Sequence, residues 1–266
     1  MEMQFESQKF GSRLKSMLSV DFRRTFTTPL YYIMVAIALL MPVLILVMTT
    51  AMPSTTIDPV TGVEKEMETF TNVWQAIGST AAESSAMDMS LIGMCNINML
   101  YFIIAVPVCI FVSDDFRSGY AKNLFTVRAK KTDYVISKIC IAFVTAASML
   151  IAFFVGALLG GKISGLSFAV GTAGVGGIVC CILSKILLSL IFTSIFVTMS
   201  VVGKQRLWLS LLGAFGVGML FFTMVPMITP LDSTLINVLL CAVGGGGIAV
   251  GLGAVSNLIL KKTSLV

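Results

Sequence analysis

Five stretches of the chain carry no charged residue: 25–57, 89–113, 139–161, 207–231 and 233–260. Each is mostly apolar and longer than the ~18 residues an α-helix needs to cross the hydrocarbon core of a bilayer. A soluble domain is nearer ~25% charged and interrupts its apolar runs with polar faces; here 12% of residues are charged and 57% are hydrophobic. The runs are continuous and lack the dyad alternation of a transmembrane strand, and a helix satisfies its own backbone groups in lipid. The first run starts near residue 30 and is followed by others, unlike a cleaved signal peptide. The expected fold is an all-α membrane protein forming one transmembrane domain over residues 1–266.

Six transmembrane helices are expected, at residues 30–50, 91–112, 135–159, 175–202, 207–228 and 235–260. Lys185 interrupts the fourth. The segment Ser184-Lys185-Ile186-Leu187-Leu188 has no Gly or Pro to turn the chain, so two short spans would lack a hairpin. One helix of about 42 Å is expected, tilted or protruding. The glycine-rich stretch 165–177 then becomes an outer loop or a short re-entrant piece.

Lys and Arg in the loops give the orientation. Residues 1–28 hold five, residues 113–134 five more, then come Lys204, Arg206, Lys261 and Lys262. These fourteen face Lys65 and Lys162 alone on the other side, with Lys138 and Lys185 left out because they fall within or at the edge of spans. Both termini are therefore expected on the cytoplasmic side of a bacterial cell membrane, and an even number of spans, which puts both ends on one side, agrees with that. The outer loop, 51–90, is acidic, and Phe70, Val73, Trp74 and Ile77 in its second half mark a short interfacial helix.

Two cytoplasmic elements stand out. In residues 1–28, Phe10, Leu14, Met17, Leu18 and Phe22 share one sector of a helical wheel, with Lys9, Arg13, Arg23 and Arg24 opposite. An interfacial helix is expected, either a plain anchor or an elbow that also touches a partner; Pro29 permits a sharp entry into the bilayer. In residues 113–134, Phe116, Tyr120, Leu124 and Val127 recur at helical spacing as one apolar stripe. A short cytoplasmic helix pressed against another surface is expected there, with Thr132-Asp133 as N-cap of the third span.

The same loop carries a family resemblance. Asp115, Gly119 four residues on, Leu124, Arg128 and then Lys138 at the next span resemble the ABC-2 type permeases, the membrane subunits of ABC exporters. Family members usually read Glu-x-x-x-Gly-Thr where this chain has Asp115 and Tyr120. The link 229–234 is short, and the largest outer loop follows the first span, which is similar to the small permeases of peptide-antibiotic export and immunity. The resemblance implies a coupling helix, with Asp114, Asp115, Phe116, Gly119, Tyr120, Leu124 and Arg128 docking on an ATPase. It also implies partners: two ATPase subunits that carry the ATP and magnesium, and a second permease chain, same or different. No nucleic-acid partner is expected, and the chain itself would be a transport subunit and not an enzyme. The substrate would be amphipathic, such as an antimicrobial peptide, a drug or a lipid.

Other features are weaker. Residues 156–163 nearly spell a phosphate-binding loop, but Ile163 stands where Ser or Thr would bind magnesium and no strand precedes it. The six cysteines lie in apolar runs, form no C-x-x-C and have no histidine beside them, so they are expected to pack rather than ligate metal. The pairs Gly156/Gly160, Gly161/Gly165 and Gly247/Gly251 have the spacing of close helix approach, within the chain or at a dimer seam. Lys185, an intramembrane charge, either takes part in a pathway or snorkels outward. An ATP-independent carrier or channel is the alternative function; an intramembrane enzyme lacks the paired polar residues it would need.

Overall fold

The computed structural model describes residues 10–51, 55–57, 64–66, 69–80, 95–126 and 130–262. They form nine α-helices: α1 Phe10–Thr27, α2 Pro29–Ala51, α3 Leu100–Arg117, α4 Tyr120–Thr126, α5 Lys131–Ser164, α6 Gly174–Gly203, α7 Leu207–Phe222, α8 Val225–Ile228 and α9 Leu235–Lys262. A two-stranded antiparallel ladder, Thr55–Ile57 against Glu64–Glu66, follows α2. Five helices are long and apolar enough to cross a membrane: α2, the Ile97–Arg117 segment that ends in α3, α5, α6 and α9. The chain is therefore a multi-pass helical protein. α6 runs unbroken through Lys185, as the absence of a turn signal predicts. The fifth expected span divides into the 16-residue α7, a turn at Thr223–Met224 and the four-residue α8.

α6 and α5 form the centre. α6 packs against α3, α5, α7 and α9, and α5 packs against α1 and α2 as well. Tyr101, Met149, Phe153, Phe192 and Phe196 fill the space between them. The outer helices expose their apolar faces instead: Tyr32, Leu44 and Met48 on α2, Leu212 and Leu220 on α7, Ile236, Val243 and Val250 on α9. In water such surface would be costly, and lipid is the solvent it suits.

The glycine pair on α5 meets α2. A Cβ on Gly156 would collide with the Leu39 carbonyl and come within 2.8 Å of Pro42 Cγ; one on Gly160 would stand 2.8 Å from Val43 Cα. Gly161 is closed in the same way by Val73. These glycines serve packing within the chain. Gly247 and Gly251 on α9 have open space before them. Gly165 ends α5 in the left-handed conformation that glycine adopts without penalty, with φ 69°.

One end of the bundle is capped by the segment 69–80, which follows the two-stranded ladder. Val73–Ala76 forms a 3₁₀ turn capped by Asn72; Phe70, Val73 and Ile77 are buried, and Trp74 Nε1 donates to the Phe168 carbonyl at 3.2 Å. Thus Trp74 holds the glycine-rich loop after α5, where Asn72 and Ser167 form a backbone bridge.

Candidate functional site

The most concentrated chemistry lies at the opposite end, which carries most of the basic residues. Four charges from three helices meet in a buried knot. Asp21 comes from α1, Asp115 from the last turn of α3, and Lys138 from the second turn of α5; all three are buried, and Arg24 of α1 is partly buried beside them. Lys138 Nζ lies 2.8 Å from Asp21 Oδ1 and 2.7 Å from Asp115 Oδ2. Arg24 Nη2 lies 2.8 Å from the other oxygen of Asp115. That contact is an ion pair without the alignment of a hydrogen bond, since Asp115 Oδ1 has no hydrogen-bond partner. Tyr134 donates its hydroxyl to Asp115 at 3.0 Å and Ser137 donates to Asp21 at 2.6 Å.

Two carboxylates and two cations make the knot neutral, so each buried charge is compensated, as burial in a low-dielectric interior demands. Aromatic rings enclose it. Lys138 Nζ stands 4.2 Å from the Phe111 ring centre, and the Arg24 guanidinium lies 4.3 Å over Tyr120, attractive placements for a cation. Burial pulls the pKa of Arg24 down, but Asp115 and Asp21 outweigh it and leave it raised. Burial, helped by Asp21, pushes the Tyr120 hydroxyl up.

Around the knot the ends of the helices are tied together. Arg13 Nε donates to Asp133 Oδ2 at 3.0 Å, joining α1 to the first turn of α5. Lys131 Nζ donates to the Leu260 carbonyl at 2.6 Å, so a cation closes the C-terminal end of α9. The cap of α5 differs from expectation. The helix starts at Lys131, its cap residue is Lys130, and no side chain supplies the cap bond. Asp133 sits inside the first turn and is spent on Arg13.

The predicted coupling residues separate into two groups. Asp115 and Phe116 are buried in α3, while Asp114 is exposed and faces Arg117 at 3.7 Å. Gly119 breaks the stripe with φ 74°, so Tyr120 and Leu124 belong to a separate helix, α4. The single helix expected from the spacing of Phe116, Tyr120 and Leu124 is therefore two helices with a joint. Val127 and Arg128 lie outside the described residues. Asp115 and Lys138, picked out by the motif, are in direct contact.

Asp21 was the residue that sequence reasoning missed. Its signal was present: it is the one acidic residue in α1, and it falls in the middle of the sector defined by Leu14, Met17 and Leu18. An acid on an apolar stripe calls for a buried cation.

Lys185 makes a second polar site, nearer the far end. It is 1% exposed, and does not snorkel. Its Nζ donates to Asn98 Oδ1 at 2.7 Å and Thr229 Oγ1 at 3.0 Å, and its carbonyl accepts from Tyr101 at 2.8 Å. No carboxylate pairs with it among the described residues.

Comparison of the chain with protein-family models, curated proteins and solved structures gives no match.

Proposed function

We propose that this chain is the membrane-spanning permease subunit of an ABC exporter of the ABC-2 kind, working in the cell membrane as one of two permease chains. Two separate ATPase subunits bind ATP and magnesium, and the cargo is amphipathic: a peptide, a drug or a lipid. α1 acts as the interfacial elbow and α4 as the coupling helix. One observation carries the reading: the buried knot beside α4 locks α1, α3 and α5 into a single piece. A push on α4 reaches α3 through the joint at Gly119, and reaches α1 and α5 through Asp115, Asp21 and Lys138. A lever needs a stiff attachment of this sort, because packed interfaces switch between discrete arrangements rather than bend.

Six passes with both termini in the cytoplasm fit this role. Arg13 and Leu260, near the two ends, both bind the first turn of α5. α7 starts beside Ser113, near the knot, and the chain after α8 reaches the opposite end, where the Leu231 amide donates to the Ser79 carbonyl. Asp115 holds the lever in place; Asp114 is exposed, and the part-buried Tyr120 and Leu124, which also rest on the knot and the core, would complete the surface offered to the ATPase.

The test is co-expression with an ATPase encoded beside this gene, followed by gentle purification and mass spectrometry of the intact complex. Two ATPases and two permeases are expected, with ATPase activity that falls when Tyr120→Ala and Leu124→Ala are combined. A chain that purifies without any ATPase, and moves substrate in vesicles lacking ATP, would be the carrier instead.

A further inference from the structure

The basic end of the bundle holds a groove of about 610 Å³ between the α3–α4 joint and the α6–α7 turn. Arg117, Lys122, Lys204 and Arg206 line it, and no acidic side chain does. Arg117 has the long, exposed pair with Asp114. Lys122, Lys204 and Arg206 form no ion pair among the described residues. Among the described residues, Lys204 is the non-glycine residue with positive φ, 50°, and its backbone carries the strain of a tight turn that places this cation at the groove. The knot a few residues away balances every charge it buries; the groove has a surplus of positive charge that, among the described residues, only the long Asp114 pair partly answers.

The depth of the groove argues for what answers it. Arg117 is the last residue of α3, Gly203 the last of α6, and Arg206 to Leu209 span the start of α7. Helices that cross a bilayer and end together here would leave it at this level, where phosphates lie. An apolar track continues from the groove along α7: Leu209, Leu212 and Gly216 are exposed at i, i+3 and i+7, and a Cβ on Gly216 would meet nothing within 4 Å. Cations above and an open apolar track below match the two halves of a lipid. An acidic protein segment would use the cations and leave the track uncovered.

We infer that this groove is a binding site for an anionic phospholipid with two phosphates, whose headgroup bridges the α3–α4 joint to the α6–α7 turn while an acyl chain lies on Leu209 and Leu212. Basic pockets between transmembrane helices on the cytoplasmic side have this chemistry. The inference needs a chain that spans a bilayer, and holds with or without an ATPase partner.

The experiment is native mass spectrometry of the purified full chain in detergent, titrated with cardiolipin or with phosphatidylcholine. The wild type should prefer cardiolipin. The triple variant Lys122→Gln/Lys204→Gln/Arg206→Gln should weaken cardiolipin binding by about a hundredfold, leaving phosphatidylcholine binding as it was. Its melting temperature should match the wild type, because all three residues lie outside the buried knot; if it does not fold, the single Arg206→Gln variant gives the same comparison at about fivefold. Leu212→Lys, on the acyl track, should also weaken cardiolipin. Equal binding of the two lipids by the wild type overturns the assignment. So does displacement of cardiolipin by an equal concentration of inorganic pyrophosphate, which would make the groove a site for a soluble polyanion. Loss of ATPase co-purification in the triple variant with cardiolipin binding unchanged overturns it as well, and would make the groove a protein-docking surface.

Discussion

At the scale of single residues, the two buried lysines pose opposite electrostatic problems. Lys138 has two carboxylates within 2.8 Å and lies in a neutral set of four. Lys185 has two neutral acceptors and, among the described residues, no acid. Removing one member of a balanced set strands the others: without Lys138, Asp21 and Asp115 would face each other with only Arg24 between them. Lys138→Met should therefore destabilise the protein by roughly 3–5 kcal/mol, seen as a large drop in the melting temperature in detergent. Asp115→Asn alone should also destabilise. The double variant Asp115→Asn/Lys138→Met leaves Asp21 with Arg24, a neutral pair, and should cost less than the two single losses added together, by roughly 0.5–3 kcal/mol of coupling. Additive losses would show that the contacts carry no coupling. The cycle also bears on the proposed coupling role, since an Asp115 variant that lowers ATPase activity must first be shown to fold. The partnership between Asp115 and Lys138 was partly legible, because the motif marks both residues. Asp21 was legible only as an acid on an apolar stripe, and nothing in the spacing shows which cation it meets 117 positions away.

At the scale of elements, the long helices could be read directly because lipid forces continuity. An uncharged run of sufficient length has few alternatives in a bilayer. The expected limits 175–202 and 235–260 fall within one or two residues of α6 and α9. Joints were harder, because they depend on backbone angles and tertiary partners. The stripe Phe116, Tyr120, Leu124 keeps helical spacing across Gly119, so periodicity gives no warning of the break there. Asp133 has a suitable cap side chain, but Arg13 engages it. Glycines separate by what they face, and this gives a contrast that can be measured. Gly156→Ala places a methyl group against the Leu39 carbonyl of α2 and should destabilise by about 1–3 kcal/mol. Gly247→Ala, with open space before it, should be neutral or raise stability by up to about 1 kcal/mol through helix propensity alone. Melting curves of the two variants in one detergent decide the point; equal shifts would mean that α2 and α5 do not approach as closely as the structure has them.

For the whole molecule, the number of crossings turns on α7. At 1.5 Å per residue its 16 residues span about 24 Å, short of a ~30 Å hydrocarbon core. The turn at Thr223–Met224 and α8 make up the difference, with Pro226 at the start of α8 where a missing N–H costs little. The contacts at its two ends lie at opposite ends of the bundle: Gly203 and Ser113 beside Ser210 at the start, Lys185 and Ser79 beside Thr229 and Leu231 at the finish. If this segment crosses, the chain has six passes, and Lys262 returns to the side of Arg13. Labelling with a membrane-impermeant maleimide tests this. The six native cysteines, all free, are first replaced by alanine or serine. Single cysteines are then placed at Ser167, Asp232, Gln205 and Lys262. Ser167→Cys and Asp232→Cys should react in intact cells; Gln205→Cys and Lys262→Cys should react only after the membrane is opened. Reaction of Lys262→Cys in intact cells, with Gln205→Cys still protected, would mean that α7 and α8 turn back without crossing. The C-terminal end would then lie outside, the hydrogen bond from Lys131 to Leu260 could not form, and five passes would replace six. That outcome would also remove the cytoplasmic cation pair Lys261–Lys262 from the positive side and weaken the permease reading at its base, since that reading requires both ends to face the ATPase.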